Sequence, residues 1–211
     1  MPDLTLESQT EPAVIGIDEA GRGPWAGPVT VAAVWLVPQY YAHLPDGLDD
    51  SKKLSATKRE RIFAELVKGP HQYAVSSVSV EQIDQIGILQ ATLQGMRDVA
   101  GALASQIQRK FDLSVEQALV DGNISPSLNV AEQLVIKGDS KSCSIAAASI
   151  IAKQTRDHIM QDLAMQYPAY GWERNMGYGT RQHQEALALH GPTIHHRHSF
   201  APIKRLIATA T

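Results

Sequence analysis

Three short apolar runs in this sequence end in acid. Residues 13–17 (AVIGI) lead into Asp18 and Glu19, residues 118–120 (ALV) into Asp121, and residues 133–138 (QLVIKG) into Asp139. Short apolar runs bounded by turn residues read as strands. One acid at a strand end is common in turns, but three in so small a sheet point to a shared purpose. Four carboxylates gathered at one sheet edge would repel one another unless they held cations. Hard oxygen donors with no thiolate among them select Mg²⁺ or Mn²⁺, and Mg²⁺ keeps waters and substrate phosphates among its ligands. The chemistry expected of Asp18, Glu19, Asp121 and Asp139 is two-metal hydrolysis of a phosphodiester. One ion helps to generate hydroxide and both stabilise the in-line transition state.

Geometry limits this reading. Neighbours on an ideal strand point to opposite faces, so Asp18 and Glu19 share a site only if the strand ends or twists there, as Gly21 and Gly23 allow. Asp157 lies 18 residues beyond Asp139, about 27 Å away along an unbroken helix at about 1.5 Å per residue. It is assigned to an ion pair or cap beside Arg156. His195, His196 and His198 lack the Cys partners or the helical spacing of a zinc site. The single cysteine, Cys143, reads as a small buried hydrophobe in a reducing compartment.

The elements that must position the acids follow from pattern. Residues 29–37 (VTVAAVWLV) form a second strand. The stretch 20–28 between the first two strands carries three glycines and two prolines and is a shaped loop. Residues 54–67 read as a helix and 73–80 as a strand. Ser79 and Gln82 fit a capping box that starts one long helix, with Leu89, Leu93, Met96, Val99, Leu103 and Ile107 on its buried face. Residues 133–136 make another strand, residues 140–167 one alanine-rich helix, and the remainder loops around a short helix at 180–190. The order gives an α/β protein, a mixed sheet flanked by helices, with ligands expected at the strand ends.

At 211 residues, 44% apolar and a net charge of -3, the chain is long enough for one sizeable core, with a small C-terminal appendage at most. Its expected divisions are a polar N-terminal tail (1–12), a catalytic domain (13–170) and a C-terminal substrate-binding segment (171–211). No run approaches about 18 apolar residues and the first dozen are polar, so no membrane span or secretion signal is expected. From 176 onward Arg181, Arg197, Lys204 and Arg205 stand against one acid, Glu185, with five histidines interleaved, a candidate polyanion-binding surface.

The ordered set Gly16-Ile17-Asp18-Glu19-Ala20-Gly21-Arg22-Gly23-Pro24, Asp50-Ser51-Lys52-Lys53-Leu54, Val120-Asp121-Gly122, Lys137-Gly138-Asp139-Ser140, Gly177-Tyr178-Gly179 and His196-Arg197 resembles bacterial ribonuclease HII, the type 2 ribonuclease H, over roughly residues 13 to 207. The resemblance implies a ribonuclease H-like mixed sheet with a small helical C-terminal extension. It implies a cytoplasmic monomer that cuts RNA in RNA–DNA hybrids and at single ribonucleotides embedded in duplex DNA, with Mg²⁺ or Mn²⁺ as cofactor. A replication-clamp contact is left open. The family's four acids fall on Asp18, Glu19, Asp121 and Asp139. Its ribose-reading segment falls on Gly21, Arg22 and Gly23, where glycines let backbone groups approach a 2′-hydroxyl. Lys52 is expected on a backbone phosphate, and Tyr178 on the sugar that follows the ribonucleotide. Trp25 stands where an aliphatic residue is usual, and Met176 where lysine is usual. On the residues alone, two other readings compete: a related phosphodiesterase without the 2′-hydroxyl reader, and a hybrid-binding module whose acids hold a structural ion.

Overall fold

The computed structural model describes residues 1–9 and 13–209. Five strands form one sheet: β1 (Val14–Ala20), β2 (Val29–Trp35), β3 (Gln72–Val78), β4 (Gln117–Asp121) and β5 (Ala131–Val135). Their order is β3-β2-β1-β4-β5. The first three pair antiparallel, while β4 lies parallel to β1 and β5 parallel to β4. Helix α1 (Ala56–Lys68) precedes β3, and α2 (Val80–Ile86) and α3 (Ile88–Phe111) follow it. Helix α4 (Cys143–Gln166) comes after β5, and α5 (Trp172–Asn175), α6 (Arg181–His190) and α7 (Ala201–Thr209) complete the chain.

Strands β1 and β2 are buried on both faces because helices cover both, which is why they read as continuous apolar runs rather than alternating ones. On one face Ile15, Ile17, Val31 and Ala33 meet Leu93, Met96, Val99 and Leu103 of α3. On the other, Ala32 and Val34 meet the alanines of α4. The approach there is so close that a Cβ on Gly16 would fall onto the backbone of Ser144.

The expected elements are present with four differences. The capping box forms, but the helix it starts breaks at Gly87, whose φ of 80° lies outside the helical region, so α2 and α3 are separate. The helix expected from 140 begins at Cys143. Ahead of it Gly138–Ser140 make a 3₁₀ turn, and the Ser142 hydroxyl caps α4 by accepting from the Ile145 amide. Strand β5 starts two residues early, at Ala131, through its register with β4. Helix α7 occupies residues expected as loop; Pro202 stands in its first turn, where a missing N–H costs nothing.

Helices α5 to α7 and the last turns of α4 surround a second small core of Met160, Ala164, Tyr170, Trp172, Leu187 and Ile203. Ala26 and Trp25 of the 20–28 loop enter this core, so the loop is bound to the C-terminal part. At the other end Glu7 is buried, its carboxylate accepting from the Ser142 hydroxyl at 2.6 Å and the Ser144 amide at 2.8 Å, which fastens the start of α4.

Candidate active site

The four acids lie at one end of the sheet, yet not for the reason anticipated. Strand β1 neither ends nor twists away before Asp18 and Glu19; it stays paired through both, Asp18 opposite Ala32 and Glu19 opposite Val31. Paired residues share a face, so Asp18 faces α4 and Glu19 faces α3. Asp121 stands between them. It follows Val120, the partner of Ile17, on the adjacent parallel strand. Its carboxylate accepts from the Gly138 amide at 2.6 Å, toward α4, and it also borders the cleft lined by Glu19, Arg22, Leu89 and Thr92, toward α3. Asp139 sits in the 3₁₀ turn that follows Gly138.

Electrostatics make these acids one group. Burial raises Asp18, 5% exposed, well above the ordinary carboxylate range, and the Glu19 and Asp121 charges add to it. Burial likewise raises Glu19, with Arg22 opposing and Asp121 reinforcing. Asp139 is raised by burial, by Asp50 and by Asp121. For Lys52, partial burial works against the charged form, but Asp18, Asp139, Asp50 and Asp121 outweigh it and hold the ammonium above the usual lysine range. Lys52 and Arg22 are thus cations facing the acid cluster.

Sequence reasoning passed over Asp50 and Ser149. Asp50 lies beside Asp139 and helps to raise it, and its signal was present in the same Asp-Ser-Lys-Lys segment as Lys52. The Ser149 hydroxyl, on α4, supports the Asp18 carboxylate and meets the Ser51 hydroxyl at 2.9 Å. Asp157 forms a structural ion pair as expected, with Lys153 at 2.6 Å and Arg59 at 3.7 Å.

The expected substrate-contacting residues border this cluster. Arg22 reaches Glu19 at 3.4 Å and keeps half its side chain exposed. Tyr178 is 51% exposed, and its ring edge lies 3.5 Å from where a Cβ on Gly23 would stand. Gly21 has an internal reason to be glycine: its φ is 93°, and a Cβ would fall into the Arg156 side chain. Trp25 packs flat against Gly179 and near the His183 ring, and the Met176 carbonyl accepts from Arg156 at 3.0 Å.

The basic tail is corrected in part. Arg197, His183 and His196 are fully buried and their donors are consumed internally, whereas Arg181, paired with Glu185 at 2.7 Å, and Lys204 and Arg205 stay exposed. The Thr193 amide donates to His196 Nδ1 at 2.8 Å, so His196 carries its proton on Nε2 and donates to His183 Nε2 at 3.0 Å. His183 then donates from Nδ1 to the Tyr178 carbonyl at 2.9 Å. Burial, with neighbouring His183, pulls His196 down to about 3, so it stays neutral.

Among the described residues no three His, Cys, Asp or Glu are already drawn together as a closed ligand set. The donors present still fit an ion that brings its own waters and completes its shell with substrate phosphate. They are hard oxygens, packed closely enough to raise one another's pKa, with no thiolate among them. Asp18, Asp121 and Asp139, with Glu19 on the neighbouring face, are the residues that would hold it.

A family model for ribonuclease HII matches residues 15–203. The ribonuclease HII of Paramagnetospirillum magneticum is 51% identical over 96% of this chain and 97% of its own. That of Magnetococcus marinus is 49% identical over 98% and 95%. Among solved structures, ribonuclease H2 from Pyrococcus horikoshii superposes with a TM-score of 0.73 at 24% identity, covering 94% of this chain and 98% of that one. The ribonuclease HII of Archaeoglobus fulgidus, solved as a complex with PCNA, gives 0.68 at 28% identity, covering 88% and 94%. The chain belongs to the ribonuclease HII family, type 2 ribonuclease H endoribonucleases that degrade the RNA of RNA–DNA hybrids.

Proposed function

We propose that the enzyme, beyond degrading RNA in hybrids, cuts on the 5′ side of a single ribonucleotide embedded in duplex DNA, leaving 3′-hydroxyl and 5′-phosphate ends, and does so with Mg²⁺ or Mn²⁺. The observation that carries this reading is the acid cluster of buried Asp18 and Asp139 with half-buried Asp121, bordered by an exposed arginine and an exposed tyrosine on glycine-containing loops. A ribonuclease HIII with a similar fold, TM-score 0.78 at 21% identity, was solved in complex with Mn²⁺.

When bound, the ions supply Lewis acidity for attack of water on the scissile phosphate. The chain's own residues prepare that event. Asp18, Glu19, Asp121 and Asp139 would hold the cations, and Lys52 reduces the repulsion among these carboxylates. Arg22 holds a phosphate next to the cut, the Gly21–Arg22–Gly23 backbone reads the ribose 2′-hydroxyl, and the Tyr178 ring packs on the sugar that follows. A cytoplasmic monomer belongs to the same reading through the family resemblance. Among the described residues no helix is long and apolar enough to cross a membrane.

The test compares an all-DNA duplex with the same duplex carrying one ribonucleotide, with Mg²⁺ and with excess chelator. Cleavage only of the ribonucleotide duplex, only with metal, and with a 5′-phosphate on the downstream product supports the proposal. Cutting of the all-DNA duplex, or cutting in chelator, refutes it.

A further inference from the structure

Two enclosed arginines hold the loops on either side of the exposed Tyr178 ring. Arg197, 0% exposed, donates to the carbonyls of Gly21 at 2.6 Å, Arg22 at 3.0 Å, Gly27 at 2.9 Å and Pro28 at 3.0 Å. Arg156, 1% exposed, donates to Pro28 and Ala26, each at 2.9 Å, and to Met176 at 3.0 Å, two residues before Tyr178. Main-chain bonds join the same pieces: the Trp25 amide to the Gly177 carbonyl at 2.8 Å, and the Arg197 amide to the Trp25 carbonyl at 2.8 Å.

Neither guanidinium forms an ion pair with a carboxylate among the described residues. Burying a cation without a counterion is a poor way to stabilise a fold, since apolar packing of similar volume does as well or better. The arrangement has a use at a polyanion. Carbonyl oxygens turned onto the arginines are not presented to phosphates, and Asp157 and Asp84 act on the two guanidinium charges only without a direct ion pair, so positive charge remains beneath the loop. Only a planar fork of donors spans several carbonyls at once; a lysine ammonium is a single point charge.

We propose that Arg156 and Arg197 are positioning residues that set the shape of the 20–28 loop against Tyr178 and so determine discrimination for a single ribonucleotide. The proposal rests on the reading of that loop given above. Neither arginine touches the acids, so both act on recognition rather than on hydrolysis.

The experiment measures kcat/KM for Arg156→Lys and Arg197→Lys on a long RNA–DNA hybrid and on the single-ribonucleotide duplex, at fixed salt and Mg²⁺, with folding checked by near-UV circular dichroism. Lysine keeps the charge and loses the fork. The single-ribonucleotide substrate is expected to lose about ten- to a hundredfold more than the hybrid, the scale of an ångström-sized misplacement. Equal losses on the two substrates, no loss on either, or failure of both variants to fold would overturn the proposal and make the pair structural. A wild-type enzyme that cuts the hybrid and ignores the single ribonucleotide would instead overturn the parent reading.

Discussion

Asp121 Oδ1 accepts the Gly138 amide at 2.6 Å, tying the end of β4 to the turn that carries Asp139. An asparagine at 121 keeps an acceptor for that bond and removes a charge from the cluster. In chelator, Asp121→Asn is expected to melt at or above the wild-type temperature. Asp121→Ala, which leaves the Gly138 amide unpaired, loses about 1 kcal/mol, or about 2–4 °C for a chain of this size. Differential scanning calorimetry of both variants checks this, and an Asp121→Asn protein that melts below Asp121→Ala would contradict the geometry.

The acid cluster also sets a pH dependence. Asp18, Glu19 and Asp139 are raised in the folded state. Folding therefore favours their protonated forms, and that stability is complete below about pH 4 and lost as pH rises through the raised values. His196, pulled down to about 3, acts oppositely: its neutral form contributes above about pH 6.5 and the contribution fades as pH falls toward 3. Asp18→Asn removes part of the first effect and leaves the second. The melting-temperature gap between variant and wild type should widen as pH rises above about 4 in chelator. It should narrow in millimolar Mg²⁺, which stabilises only the protein that binds it. A gap independent of both pH and Mg²⁺ would remove the cation site.

The two glycines of the reading loop should separate. Gly21→Ala forces a side chain into Arg156 at a φ of 93° and is expected to cost stability, by about 1–3 kcal/mol, and activity on every substrate. At Gly23 a Cβ would make only ordinary contact with Tyr178, so Gly23→Ala should melt normally and lose activity only through substrate contact. Equal melting temperatures for the two variants would contradict the internal role of Gly21.

Histidine resonances test the C-terminal network. Long-range ¹H–¹⁵N spectra should show His196 protonated on Nε2 and His183 on Nδ1, the tautomers required by their bonds to Thr193 and Tyr178. His196 should not titrate between about pH 5 and pH 8. A His196 midpoint near 6.5 would show that the pair is open to solvent.

Much of this was legible in the sequence because the signals were local. Ser79 and Gln82 announced a helix start, and three apolar runs leading into acid announced three strands, although only β4 ends at its acid. The break at Gly87 was hidden because apolar spacing continues across it. The site's finer structure depends on contacts distant in sequence. Asp18 and Glu19 remain on opposite faces, and it is Asp121, from another strand, that joins them. Arg197 looked like surface charge because nothing local distinguishes a basic residue that faces solvent from one whose donors are taken by the carbonyls of residues 21–28.

The central claim is that the acids at the end of β1 and β4 hydrolyse the phosphodiester while recognition resides in the neighbouring loops. Single-turnover cleavage of the single-ribonucleotide duplex by Asp121→Asn, with binding measured in parallel, tests it most directly. The account predicts near wild-type affinity and a cleavage rate at least about a hundredfold lower, beyond the loss typical of residues that merely support a metal ligand. A variant that binds normally and retains most of the wild-type rate in Mg²⁺ would contradict it.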